Sequence, residues 1–338
     1  MHLVPPFLAL ISGLSACGSA PSPSGTLLVA ADIDETPVTM VVDAATGKGT
    51  PLKTALSGGV FPAAADPEGT HALLIGSVDG PEGHQETLAI VPLAGGEARA
   101  LAPPAQAVRN PAWSPDGQWL VFESSIDSFR DLYKVQRDGT GLTRLTEAPH
   151  GSFEPAFSPD GHSIVFASSR DGNAELYVMR ADGTGTRRLT NYPKDDMAPQ
   201  FSPDGQQVLF LRQVGGSKIL HKVPAVGGQP VAVRLPDHPV VVHGFAIDPT
   251  GRSLAVTEQT SARELQVVVL DLATGDVRAT LGGPGVDEMP AFSPDGEWVV
   301  WSSPASGDTE LWRARIDGSH AQQLTSRPGA DWLPRWVK

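Results

Sequence analysis

The chain has 338 residues and a formal net charge of −13 at pH 7. This balance argues against a nucleic acid or an anionic membrane surface as a partner held by charge alone. Glycine (36) and proline (31) make up about a fifth of the chain, and 40% of the residues are hydrophobic. We therefore expect a folded core interrupted by frequent turns, and we exclude a disordered chain.

The N-terminal segment is expected to direct export. Residues 3–14 form an apolar run that is too short to span a bilayer, and Leu14-Ser15-Ala16-Cys17 follows it. This ending resembles the bacterial lipobox. The resemblance implies a signal peptide over 1–16, lipidation of Cys17, and a tether over 17–24. Gly18 after the cysteine is similar to the pattern of outer-membrane sorting, so we expect a lipoprotein of the cell envelope that faces the periplasm.

An ordinary signal peptide with an incidental cysteine is the alternative, and it also predicts an exported protein. Cys17 is the single cysteine of the chain, so no intramolecular disulfide can form.

Residues 153–190 predict a four-stranded antiparallel unit. Its elements in chain order are a short strand at Pro155–Phe157, a turn at Ser158-Pro159-Asp160-Gly161, strands at Ile164–Ala167 and Glu175–Met179, a turn at Asp182-Gly183, and a short outer strand at Arg187–Thr190. Proline and glycine suit these turns because one fixes φ and the other accepts positive φ. The apolar runs between them favour strands.

The same unit recurs along the chain. Its turn glycines are Gly69, Gly117, Gly161, Gly205, Gly251 and Gly296, at spacings of 48, 44, 44, 46 and 45. A period near 44 with four strands per unit is typical of a β-propeller, in which small sheets bury their faces against one another.

The two ends of the chain predict how the ring closes. Pro334-Arg335-Trp336 has the pattern of a first strand, whereas Leu27–Ala31 has the pattern of a second strand without a first. We predict an all-β fold with a single domain over 25–338. It is a seven-bladed propeller in which the C-terminal strand completes the N-terminal blade.

Three repeated segments, FSPDG, SSRDGNAELYVM and ADGTGTRRLT, resemble the TolB-type propeller repeat, which is related to WD-repeat blades. The resemblance covers nearly everything after residue 25 and implies the propeller fold. Such repeats occur in partner-binding proteins, in peptidase accessory domains and in some polysaccharide lyases. TolB carries an α/β domain before its propeller and propeller-gated peptidases carry a hydrolase domain after it. We expect neither here.

No catalytic signature is present: there is no G-x-S-x-G, no H-E-x-x-H, no P-loop and no cysteine pair. In a four-stranded meander the tight SPDG and DG turns share one face of the ring. The loops between second and third strands and the loops between blades share the other, which we call the irregular face. Binding residues tend to lie on such variable loops.

The predicted binding residues all come from the irregular face. Acidic candidates, expected in the loops before the first strands and around the channel mouth, are Glu154, Asp195, Asp196, Asp287, Glu288 and Asp331. Aromatic and histidine candidates are Phe129, His150, Tyr192, His243 and Trp332. An acidic ring favours a partner rich in Lys and Arg, or a divalent cation. We expect alanine at Asp196, Asp287 and Asp331 together to abolish partner capture without lowering stability.

The predicted function is a non-enzymatic scaffold that binds a protein or peptide, preferably a basic one, with no nucleic acid, no cofactor, and membrane contact only through the lipid. The alternative is a metal-dependent uronate lyase. It would use His84, His150, His238 and His243 around an ion at the channel mouth.

Overall fold

A computed structural model describes residues 23–337 apart from 55, 57, 81–82, 127–129, 234–241, 262–263 and 284. Every regular element in this part of the chain is a β-strand. In chain order the strands are β1 (Thr26–Ile33), β2 (Thr36–Asp43), β3 (Gly49–Pro51), β4 (Val60–Ala65), β5 (His71–Gly80), β6 (Gly83–Pro92), β7 (Arg99–Ala100), β8 (Val108–Trp113), β9 (Trp119–Ser124), β10 (Asp131–Gln136), β11 (Thr143–Arg144), β12 (Ser152–Phe157), β13 (Ser163–Ser168), β14 (Glu175–Arg180), β15 (Arg187–Arg188), β16 (Asp196–Phe201), β17 (Gln207–Val214), β18 (Ser217–Pro224), β19 (Val231–Ala232), β20 (Val242–Ile247), β21 (Ser253–Ser261), β22 (Glu264–Asp271), β23 (Val277–Leu281), β24 (Glu288–Phe292), β25 (Trp298–Ser303), β26 (Glu310–Arg315), β27 (Gln322–Gln323) and β28 (Asp331–Val337).

These strands form seven four-stranded antiparallel sheets, which are the blades. Blade 1 has the order β28-β1-β2-β3, so the last strand of the chain pairs with the first, and Trp336 lies opposite Leu27. Blades 2 to 7 are each continuous and begin at β4, β8, β12, β16, β20 and β24. The predicted seven-bladed propeller with one composite blade is confirmed.

The core consists of apolar layers between neighbouring blades. Leu120 and Phe122 of β9 pack with Leu73 of blade 2, whereas Val121 between them packs with Ile164 of blade 4. Each second strand therefore buries side chains on both of its faces, which is why its centre is a continuous apolar run instead of an alternating pattern. The same kind of layer closes the ring on both sides of blade 1.

The SPDG turns are held by their own side chains. Ser158 Oγ donates to Asp160 Oδ1 (2.6 Å) and accepts from Ser163 N (2.9 Å), while Gly161 has a φ of 72° that other residues rarely adopt. The same serine–aspartate bond recurs in the other three SPDG turns, at Ser114, Ser202 and Ser293. The most repeated motif of the sequence is therefore turn chemistry.

A buried acid and a threonine attach the short outer strand in three blades. Thr190 Oγ1 donates to Glu175 Oε2 (2.6 Å) and accepts from Leu176 N (3.0 Å), and Arg188 Nη2 donates to Glu175 Oε1 (3.0 Å). The equivalent threonine bonds join Thr146 to Asp131 and Thr325 to Glu310. Because every group in this network is satisfied, these buried carboxylates are structural.

Candidate functional site

The innermost strands surround a central channel along the axis of the ring. A cavity of about 660 Å³ lies in it, lined by residues from β4, β8, β12, β16 and β28. Each innermost strand runs from the irregular face toward the turn face, because it follows an inter-blade loop and precedes a tight turn. A cavity of this size, contributed by five of the seven blades, is large enough for a small ligand or the end of a peptide.

A bulge at the same point in the innermost strands shapes the channel wall. Five bulged residues have positive φ and are followed by proline: Asn110, Glu154, Ala198, Met289 and Leu333. Positive φ is uncommon in residues other than glycine, and a bulge redirects the side chains next to it. Both Glu154 and the residue after the proline, Ala156, line the cavity as a result.

Glu154 lies within β12, not in the loop before it as the sequence predicted. Its carboxylate accepts a hydrogen bond from Ala198 N across the blade boundary (2.6 Å), and its own backbone N–H donates to Glu123 (3.1 Å). Burial raises the pKa of Glu154, and the nearby Glu123 adds to the increase. An acidic pair therefore lies beside the channel.

The predicted acids at the start of the innermost strands are buried. Asp196, Asp287 and Asp331 are 0–1% exposed, and the equivalent residues of β8 and β20, Val108 and Val242, are buried too. This position therefore points between blades. The expected ring of solvent-facing carboxylates at the channel mouth is not formed by these three residues.

Each buried aspartate also has local partners. Asp196 makes a bidentate pair with Arg212, whose Nε and Nη2 lie 2.8 and 2.7 Å from its oxygens. Burial raises the pKa of Asp196, and Arg212 partly offsets that increase. Asp331 pairs with Arg327, with Nε 3.1 Å from Oδ2. Asp287 accepts from Gly283 N (2.9 Å), and burial raises its pKa.

The other candidates are spread over the irregular face and the strands below it. Asp195 accepts from Ala174 N (2.9 Å), and Glu288 is half-buried in β24. Tyr192 lies under the Arg212 guanidinium, whose carbon is 4.2 Å from the ring centre. Trp332 is half-buried opposite Ala30 of β1.

Only two of the four histidines of the predicted metal site, His150 and His243, have described side chains. His150 and His243 are exposed, and His243 Nε2 is 3.3 Å from Gln259 Oε1. The side chain of His84 and all of His238, Phe129 and Cys17 lie outside the described residues. Among the described side chains, no group of three or more His, Cys, Asp or Glu is close enough to bind a metal ion. No helix in that part of the chain has the length and apolarity needed to cross a membrane.

Two residues beside the channel, Glu123 and Arg335, are absent from the residues predicted from the sequence. Glu123 is 1% exposed after the apolar run of β9, and it binds Arg130 (3.3 Å) and Asn110. Arg335, from the closing strand, lines the cavity. The sequence could have pointed to Arg335, because alanine follows the proline in the aligned repeats at Pro111, Pro155 and Pro290, whereas arginine follows it here.

A family model described as the TolB beta propeller domain matches residues 80–227 and 147–338. Together these matches cover more than half of the chain. The chain therefore belongs to the TolB beta propeller family.

Its relatives are similar over shorter stretches or in fold alone. It is 28% identical to the uncharacterized protein Atu1656 of Agrobacterium fabrum over 122 residues, which are 35% of this chain and 39% of that protein. The chain thus spans well under two thirds of this curated relative.

Two solved structures illustrate the likeness of fold. TolB from Acinetobacter baumannii has a TM-score of 0.58 at 19% identity, over 92% of this chain and 82% of that one. An oligogalacturonate lyase from Vibrio parahaemolyticus has a TM-score of 0.65 at 14% identity, over 86% of each chain.

Proposed function

We propose that this chain is an exported, lipid-anchored propeller of the bacterial cell envelope that binds a protein or peptide partner through its irregular face and the channel below it. The observation that carries the proposal is the open cavity of about 660 Å³ on the propeller axis. Family membership supports it, because relatives in this family are named as the TolB protein of the Tol-Pal system.

Charge supports a partner with a basic group near the channel. The chain carries a net charge of −13, and Glu154 lines the cavity beside Glu123. We therefore assign partner binding to Glu154 and to exposed residues such as His150 and His243, and no longer to the buried aspartates.

Site-specific photocrosslinking in a bacterial host tests which face binds. A photoreactive amino acid replaces His150 or His243 on the irregular face. The matched control places it at His162 or Gln206, which are also exposed and lie beside the tight turns. We expect discrete protein adducts from the first pair only. Adducts from both faces alike, or from neither while the protein remains folded, would contradict the proposal.

The lipid anchor has its own test. Cys17→Ser should release the protein from the membrane fraction and abolish incorporation of a labelled fatty acid, because the thiol is the proposed attachment point. A wild-type protein that is already unlabelled would favour an ordinary signal peptide.

A uronate lyase is the second candidate, and the fold likeness to oligogalacturonate lyases is the observation behind it. Purified protein would be assayed on oligogalacturonate with and without Mn²⁺. Activity that requires the metal and is lost in His150→Ala and His243→Ala would replace the scaffold proposal with an enzyme.

A further inference from the structure

One level of the channel wall differs sharply between blades. The register of each blade identifies seven equivalent positions, one residue after the bulge. Five are alanines: Ala64, Ala112, Ala156, Ala246 and Ala291. The other two are Gln200 and Arg335, which lie opposite Leu209 and Leu28 in the same register. All seven are half-buried. Ala112 and Ala156 line the cavity together with Gln200 and Arg335, so small side chains leave space there beside one cation and one amide.

Arg335 has few partners for a charged group at this depth. Its Nε is 3.3 Å from the Ala63 carbonyl oxygen, and its Nη1 is 3.4 Å from the Pro334 carbonyl oxygen. Both bonds are long, and no carboxylate among the described residues forms an ion pair with it. Burial lowers the pKa of Arg335, yet a guanidinium stays charged at neutral pH. Water screens a half-buried charge less than a surface charge, so a ligand carboxylate in the cavity would be an effective counterion.

We propose that Arg335 binds a carboxylate group inside the central channel, with Gln200 as a second polar contact at the same level. This rests on the proposed function, because it assigns the part of the partner that enters the channel: a C-terminal carboxylate on an apolar residue.

The surroundings favour an apolar group next to the carboxylate. Trp113, Phe157 and Phe201 line the same cavity and lie one residue further toward the turn face. Arginine can bind both oxygens of a carboxylate through its planar fork, while the rings contact the adjoining side chain. Pockets of this kind combine an apolar lining with a few polar groups that orient the ligand.

Calorimetric titration of the purified mature chain tests the site with three probes. They are the peptide acetyl-Ala-Ala-Phe with a free carboxylate, the same peptide as its C-terminal amide, and 3-phenylpropanoate. We expect the free peptide to bind and its amide to bind about 10- to 100-fold more weakly, the range set by losing a hydrogen bond to a charged group. Binding of 3-phenylpropanoate with equal affinity would identify a site for small acids rather than for peptide ends. Equal binding of peptide and amide, or no binding of any probe, would overturn the proposal.

Two variants locate the binding. Arg335→Gln should weaken the free peptide to the level of its amide, and Arg187→Gln, an exposed arginine on β15, should leave binding unchanged. If Arg335→Gln fails to fold, Gln200→Glu tests the same idea without a change in volume. Its carboxylate would compete for Arg335 and weaken the free peptide, whereas an unchanged affinity would contradict the site.

The outcome is separable from the proposed function. Crosslinks on the irregular face that are the same in wild type and in Arg335→Gln would leave partner binding standing and refute the carboxylate site. Peptide binding that depends on Arg335, without any face-specific crosslinks, would support the carboxylate site and refute partner binding through the irregular face.

Discussion

Trp336 allows the closure of the ring to be tested by a single substitution. It lies in β28 opposite Leu27, about three hundred residues away in the chain, and packs on the layer between blades 7 and 1. Its indole N–H donates to the Ala291 carbonyl of the neighbouring blade (3.2 Å). Trp336→Ala should therefore loosen both the composite blade and its contact with blade 7.

The size of the effect follows from burial and the lost hydrogen bond. Truncation of a core Phe or Trp to Ala costs about 3–5 kcal/mol, and a net hydrogen bond contributes about 1 kcal/mol. Because Trp336 is half-buried, we expect the lower part of that range, a total of about 3–4 kcal/mol. An unfolding entropy of about 2.1 cal/mol/K per residue over 338 residues converts this to a decrease in Tm of about 4–6 °C.

Hydrogen exchange gives the localisation that a melting temperature lacks. Trp113 occupies the same register position in blade 3, opposite Leu120, so Trp113→Ala is a matched control. Trp336→Ala should accelerate exchange in β1, and Trp113→Ala should accelerate it in β9. The closure argument fails if Trp336→Ala leaves β1 as protected as in the wild type.

Three further predictions concern polar groups. The pKa of Glu154 is raised from 4.5 in the folded protein, so its contribution to stability is present at acidic pH and is lost as pH rises through the folded-state pKa. The Glu154→Gln variant should therefore have a higher Tm than wild type at pH 8, and the difference in Tm should shrink toward pH 4. A difference in Tm that does not change with pH would contradict this. Asp196→Ala should cost about 3–5 kcal/mol in urea unfolding because it leaves Arg212 buried and unpaired, while the double variant with Arg212→Met should cost less; equal losses would show that the pair is not coupled. Thr190→Val should cost about 1–3 kcal/mol by removing a buried hydroxyl bridge, whereas Thr184→Val in an exposed turn should cost much less.

The fold could be predicted because the same local chemistry recurs in every unit. A turn motif such as Ser158-Pro159-Asp160-Gly161 sets a boundary by its own hydrogen bonds, and the apolar strand after it must be buried on both faces. Six such copies fix the period, and the unpaired patterns at the two ends then allow only a composite blade. None of these steps requires knowledge of distant contacts, apart from the closing pair of β1 and β28.

The candidate site was harder to predict from the sequence than the fold, because the exposure of a strand residue depends on the direction in which its side chain points. Asp196, Asp287 and Asp331 were expected around the channel mouth, but their strand position points between blades. Arg212 on the adjacent strand of the same blade pairs with Asp196, and Arg327 in the preceding loop pairs with Asp331. An aspartate just before an apolar strand has the same local pattern whether it is solvated or buried in an ion pair. Alanine at these three positions therefore tests stability before it tests binding, contrary to the expectation from the sequence.

Once the strand register is known, equivalent residues of the seven blades can be compared within one molecule. Features that recur between blades, such as the serines of four tight turns and the apolar runs of the second strands, maintain the ring. We therefore look for function where one blade departs from its neighbours. At the channel level defined by Arg335 the departure is large: Ala112 and Ala156 provide space on the cavity wall, Gln200 provides an amide, and Arg335 provides a charge for which the described residues supply no carboxylate ion pair. An arginine that only sealed the seam between blades 1 and 2 would need contact with Ala63 alone. Its place on the cavity wall is what makes the carboxylate of a ligand its missing partner.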